Sequence, residues 1–93
     1  MNIEITNLSL NIIEAQLRRM FAAYGEVSAT EILRDKMTGR SRGSAIITMH
    51  NEAEAEKAIS QLHHKNVNGK KLSVKKVLYN PEKTHTWSRS FLS

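Results

Sequence analysis

An α+β sandwich with the element order β-α-β-β-α-β is the fold this sequence predicts, and three observations carry it. Short segments in which apolar and polar residues alternate mark strands. Two stretches of helical spacing, each opened by an Asn with a Glu three residues later, interrupt them. Turns bearing glycine close the segments, most clearly at Asn68-Gly69.

The elements follow in order. Ile3 and Ile5 alternate with Glu4 and Thr6, which gives a short strand with one apolar face. Asn11 is expected to cap the first helix, with Glu14 completing the box, Ile13, Leu17, Met20, Phe21 and Tyr24 forming the stripe and Gly25 ending it. Residues 27 to 33 make the second strand, Ile32 facing inward, and a polar stretch through Gly39 and Ser41 leads to a third strand over residues 43 to 49. Asn51 and Glu54 open the second helix, whose stripe is Ala55, Ala58, Ile59 and Leu62, and Leu72, Val74 and Val77 supply the fourth strand. This order closes as a ferredoxin-like split βαβ sandwich: a four-stranded antiparallel sheet, two helices on one face, the other face open. With the first and third strands central, alternation puts Glu4, Thr6, Ser44, Ile46 and Thr48 on the open face. Glu31 and Leu33 join them from the second strand, Ser73 and Lys75 from the fourth.

A chain of 93 residues can bury one modest core, so residues 1–78 are expected as one domain and residues 79–93 as a tail. The absence of cysteine excludes a disulfide framework and a thiolate metal site and fits a reducing compartment. No basic region precedes a long apolar run, and no stretch is long enough to span a bilayer, so the expectation is a soluble, cytoplasmic protein. The formal charge of +5 is unevenly spread. Residues 34 to 42 carry Arg34, Lys36, Arg40 and Arg42 against Asp35, and residues 65 to 76 carry Lys65, Lys70, Lys71, Lys75 and Lys76 with no acid. These segments balance at +3 and +5, leaving −3 for the remainder. Two basic segments that a fold could bring together are the footprint of a polyanion-binding face, although solvated lysines alone would give the same composition.

The run Arg42-Gly43-Ser44-Ala45-Ile46-Ile47-Thr48-Met49 resembles the octapeptide of the RNA recognition motif, and Ile3-Glu4-Ile5-Thr6-Asn7-Leu8 resembles its hexapeptide. Leu17, Phe21, Gly25, Val27, Asp35, Thr38 to Ser41, Asn68-Gly69, Leu72 and Val74 follow the same family's spacing, over roughly residues 1 to 78. The whole is similar to small single-module bacterial members. Ser44, Ile46 and Glu4 stand where the family carries its stacking rings, and Met49 replaces an aromatic that the resemblance places in the core. The resemblance implies single-stranded RNA as partner, with single-stranded DNA as a substitute ligand, and Arg42 at the family's basic position as a phosphate contact. Lys75 is a second, and Arg34, Lys36, Arg40 and Lys71 surround them. Thr6, Ser44, Ile46, Thr48 and Tyr79 complete the expected contact set, whereas Asn7 is expected to fix the turn after the first strand.

The tail holds Tyr79, Trp87 and Phe91, three of the five aromatic residues. Its last residues are expected to be disordered. Alternatives are that Trp87 or Phe91 covers Ile46 and Leu33 as a lid or dimer contact, or that Tyr79 and Trp87 stack on nucleotides. A protein-interaction module, homodimeric or with another partner through the open sheet and tail, is the competing function. An enzyme is not expected: there is no nucleophile elbow, no phosphate-cradling glycine loop and no paired-acid motif. His50, His63, His64 and His85 lack carboxylates at recognisable spacing, and His63 and His64 are expected to point apart, so neither a metal nor any cofactor is implied.

Overall fold

Ile3 and Ile5 set the inner face of the first strand, and the rest of the sheet is registered on them. The computed structural model of the chain describes residues 1–78. Strand β1 (Asn2–Thr6) pairs antiparallel with β3 (Ser41–Thr48) on one side and with β6 (Ser73–Val77) on the other. Strand β2 (Ala29–Arg34) adds to the outer edge of β3, giving the order β2-β3-β1-β6. The first and third strands are therefore central, as expected. Helices α1 (Glu14–Ala22) and α2 (Glu52–Leu62) contribute Leu17, Phe21, Ala55, Ala58 and Leu62 to one buried cluster with Ile3, Ile5, Ile47 and Met49. Met49 is completely buried, which bears out its inward assignment.

The sequence reading needs correction at several boundaries. Helix α1 starts later than Asn11: its cap is Ile13, whose backbone N–H donates to Gln16 Oε1 at 2.9 Å. Ile12 takes the buried position there, and Ile13, assigned to the apolar stripe, is 53% exposed. The helix ends at Ala22 rather than Gly25, with Tyr24 N–H donating to Phe21 O. Gly25 serves a different purpose, because a Cβ built there would lie 2.7 Å from Glu54 Cβ of α2. The second strand starts at Ala29 rather than 27. For α2 the expectation holds, since Asn51 Oδ1 accepts from Glu54 N–H at 2.9 Å.

Asn68-Gly69 turns a two-stranded hairpin, β4 (Asn66–Val67) and β5 (Lys70–Lys71), which precedes the fourth strand of the main sheet. His63 and His64 do not point apart. His64 adopts a left-handed backbone, φ 69°, which folds the chain back and stacks the two rings at a centroid distance of 3.8 Å. His63 Nδ1 then accepts from Val74 N–H at 3.0 Å. That bond satisfies a donor on β6, an edge strand of the sheet.

Candidate nucleic-acid interface

The register of the four strands arranges the open face into rows. The middle row runs Lys75, Glu4, Ile46, Glu31 across β6, β1, β3 and β2. Toward one end lie the pairs Ser73–Thr6 and Leu33–Ser44, and toward the other lies the row Val77, Asn2, Thr48, Ala29. Thr48 Oγ1 donates to Asn2 Oδ1 at 2.9 Å. Lys75 Nζ lies 3.4 Å from Glu4 Oε1, an ion pair within this row. Among the described residues both aromatic side chains, Phe21 and Tyr24, belong to the helix-side packing, and none stands on this face.

Ile46 departs from expectation. Alternation puts it on the open face, yet only 2% of it is accessible, and it lies outside the buried cluster beneath the helices. It occupies a central strand with Glu4 and Glu31 as its cross-strand neighbours. Thr6, Ser44 and Thr48 are half-buried beside it.

The basic residues collect elsewhere. Leaving β1, Asn7 adopts φ 60° and its Nδ2 donates to Lys71 O at 2.8 Å, which ties the hairpin to this end of the sheet and bears out the turn-fixing role read from the sequence. One residue on, Leu8 N–H donates to Gly43 O at 3.0 Å, which ties the start of β3 to the same end. The two basic segments are thereby joined through Asn7 and Leu8: Lys36, Arg40 and Arg42 on one side, Lys65, Lys70 and Lys71 on the other, all exposed. Gly43 has φ 77° and a Cβ there would meet Leu8 O at 3.3 Å, so this junction favours glycine. The register slips between Leu33 and Arg34, so that Ser41 rather than Gly43 faces Arg34. Such a bulge redirects the side chains beside it, here those flanking Arg42 and Gly43.

Between β2 and β3 the chain is held by its own polar groups. Asp35 Oδ1 accepts from the N–H groups of Met37 and Thr38 at 2.8 and 3.0 Å, Gly39 N–H donates to Asp35 O, and Asp35 N–H donates to Arg40 O. The N–H groups of Thr38 and Met37, with a smaller contribution from the Arg42 charge, hold the Asp35 carboxyl below its ordinary range. Arg34, one of the expected phosphate contacts, is engaged within the chain: its Nη2 donates to Glu14 Oε1 of α1 at 3.0 Å and its Nη1 to Gly39 O of the β2–β3 loop at 3.5 Å. Partial burial pushes the Glu14 carboxyl up, but its own backbone N–H and the Arg34 guanidinium outweigh this and bring it below the usual range. Of the expected contact set, Lys36, Arg40, Arg42 and Lys71 share the loop end, Lys75 stands in the middle row, and Tyr79 lies outside the described residues.

Sequence reasoning missed two side chains at this end. Leu10 is 62% and Met37 93% exposed. The available signal was a methionine within an otherwise polar loop, between Lys36 and Thr38. Among the described residues no group of three or more His, Asp or Glu could hold a metal ion, and no helix is long and apolar enough to cross a membrane.

A split βαβ sheet with one open face is the architecture of the RNA recognition motif, among other families. The chain belongs to the RNA recognition motif family, whose sequence pattern matches residues 3–73. It is 38% identical over 85 residues to the 29 kDa chloroplast ribonucleoprotein of Arabidopsis thaliana, covering 91% of this chain and 25% of that protein. It is 40% identical over 76 residues to RbpD, a proposed RNA-binding protein of Nostoc, covering 82% of this chain and 81% of the relative. The crystal structure of RNA-binding protein PG1 superposes with a TM-score of 0.84 at 37% identity, over 87% of this chain and 98% of that one. This chain spans a quarter or less of the length of the longer relatives that it matches.

Proposed function

We propose that this chain is a non-enzymatic module that binds single-stranded RNA by its phosphates along the basic loop end rather than by stacking bases on sheet aromatics. The observation that carries the reading is the meeting of two basic segments at one end of an RNA recognition sheet whose ring positions hold Glu4, Ser44 and Ile46. The names of RbpD and PG1 support RNA as the ligand class. Lys36, Arg40, Arg42 and Lys71 supply phosphate contacts, and Lys75 extends them onto the sheet. Residues 1–78 are the binding domain in this reading, with Tyr79 an added contact at the start of the tail.

Such binding is dominated by counterion release, so affinity falls steeply with salt, by a slope of about 0.7 per phosphate neutralised on a single strand. The test is a fluorescence-anisotropy titration of the full chain with a randomised single-stranded RNA pool at several salt concentrations. Replacing Arg42 and Lys75 together by Ala should weaken binding and flatten the salt slope by about 1.4, two phosphates' worth. An unchanged affinity and slope would remove the basic end as the RNA site. The same titration with single-stranded DNA separates the two nucleic acids, and solution mass against concentration tests the homodimer reading, which loses an exposed anchor because Ile46 is buried.

A further inference from the structure

The loop end carries apolar surface as well as charge. Met37 and Leu10 are among the most exposed large apolar side chains of the described residues, at 93% and 62%. Leu10 lies against the start of β3, its Cδ2 3.7 Å from where a Gly43 Cβ would stand, beside Arg42. Met37 sits in the β2–β3 loop between Lys36 and Arg40. We propose that Leu10 and Met37 form the surface on which bases of single-stranded RNA pack, in place of the rings missing from the sheet; the proposal rests on the RNA-binding reading above.

Three observations converge on this assignment. The first is preorganisation. Met37 is held in water by a loop whose polar groups are bonded to one another: its own N–H and that of Thr38 to Asp35 Oδ1, Gly39 N–H to Asp35 O, and Arg40 N–H to Thr38 Oγ1 at 3.2 Å. The guanidinium of Arg34, bonded to Glu14, also reaches Gly39 O at 3.5 Å. A loop whose backbone is already ordered leaves only the side chain's own rotamers to be fixed on meeting a ligand.

The second is chemistry. A methionine thioether is polarizable and makes favourable contacts with flat rings, and a base offers such a ring whatever its identity. Cations at Lys36 and Arg40 on either side of Met37 provide for the phosphates that join successive bases. Apolar contacts interleaved with cations are the pattern of sequence-tolerant single-strand binding. A duplex hides its base faces, so the ligand that fits is an unpaired strand.

The third is the lack of an alternative on the sheet. The central position for a base is occupied by Ile46, 2% accessible, with Glu4 and Glu31 on either side of it. Neither cross-strand neighbour of that position offers a ring or an apolar side chain on which a base could pack.

The experiment uses the full-length chain and two probes of equal length, a labelled single-stranded RNA pool and an abasic ribose-phosphate strand. Replacing Leu10 and Met37 together by Ala should weaken RNA binding on the order of tenfold, the loss of two apolar base contacts. The salt slope should stay as in the parent, because no charge is removed. Binding of the abasic strand should not change. Met37→Phe, which puts a flat ring at this exposed position, should tighten RNA binding several-fold. A double variant that binds RNA as the parent does, or a parent that binds RNA no better than the abasic strand, overturns the platform and leaves phosphate binding standing. A parent that binds neither probe overturns both readings.

Discussion

The centre of the open face and its loop end obey different constraints. At the centre, Lys75, Glu4, Ile46 and Glu31 form one row, with Lys75 paired to Glu4 and Ile46 nearly closed off. At the loop end, cations and two exposed apolar side chains stand on backbone that is bonded across elements through Asn7 and Leu8. The contrast shows why the strands form without aromatic side chains on the open face of the described residues. Ala45, Ile47 and Met49 point to the helices and are fully buried, whereas Ser44 and Glu4 point away from them and contribute nothing to that core. Inward residues hold the fold, so outward ones are free to change the chemistry.

The most direct way to break the contrast is to restore a ring. Ser44 is half-buried on a central strand and is paired with Leu33, so Ser44→Phe would place an aromatic on the face with an apolar neighbour. A ring that stacks one base contributes about 1 to 3 kcal/mol. The variant should therefore bind single-stranded RNA about tenfold more tightly with an unchanged salt slope. Unchanged affinity in a folded variant would mean that the strand never crosses the sheet, and that the loop end alone carries it.

A second substitution sharpens the other side. Gly43 holds φ 77° where β3 meets Leu8. An alanine there adopts left-handed backbone and crowds Leu8 O at 3.3 Å, so Gly43→Ala should cost on the order of 1 kcal/mol of stability. A lower thermal midpoint would measure the cost. RNA affinity in the folded fraction should fall as well, because the junction positions Arg42 and Leu10. A stability loss without an affinity loss would separate the junction from the site.

The sequence displayed those features that depend on near neighbours. Alternation located the strands, Asn51 and Glu54 located the start of α2, and the family spacing identified Met49 as an inward residue. Features set by distant contacts were hidden. Arg34 reads as a free cation in a basic run, but it is paired with Glu14, 20 residues earlier. Ile46 reads as exposed by alternation, but only 2% of it is accessible in the folded chain. Asn7 and Lys71 are 64 residues apart, so the meeting of the basic segments is visible only once the chain has folded. Near α1, Asn11-Glu14 gave a plausible cap, yet Gln16 serves the backbone of Ile13 instead, since Ile12 is the residue drawn into the core.

The smallest effect lies in the turn that presents Met37. Asp35 accepts two backbone N–H bonds as a carboxylate, and its folded value is lowered from the ordinary 3.8. A lowered acid stabilises the fold fully above its ordinary value and loses that contribution as pH falls through the folded one. The amide resonances of Met37 and Thr38 should therefore stay fixed down to the ordinary aspartate range and move only below it. Asp35→Asn keeps an oxygen acceptor without the titrating charge, so the same amides should show no such acid transition from this residue, while at neutral pH the loop should remain formed with weaker bonds. If acid leaves Met37 and Thr38 unmoved in the parent chain, the carboxylate is not what holds the turn. The preorganisation that distinguishes the loop end from the sheet centre would then have to come from Arg34 and its bond to Glu14, which an Arg34→Ala variant would expose by the loss of order at Gly39.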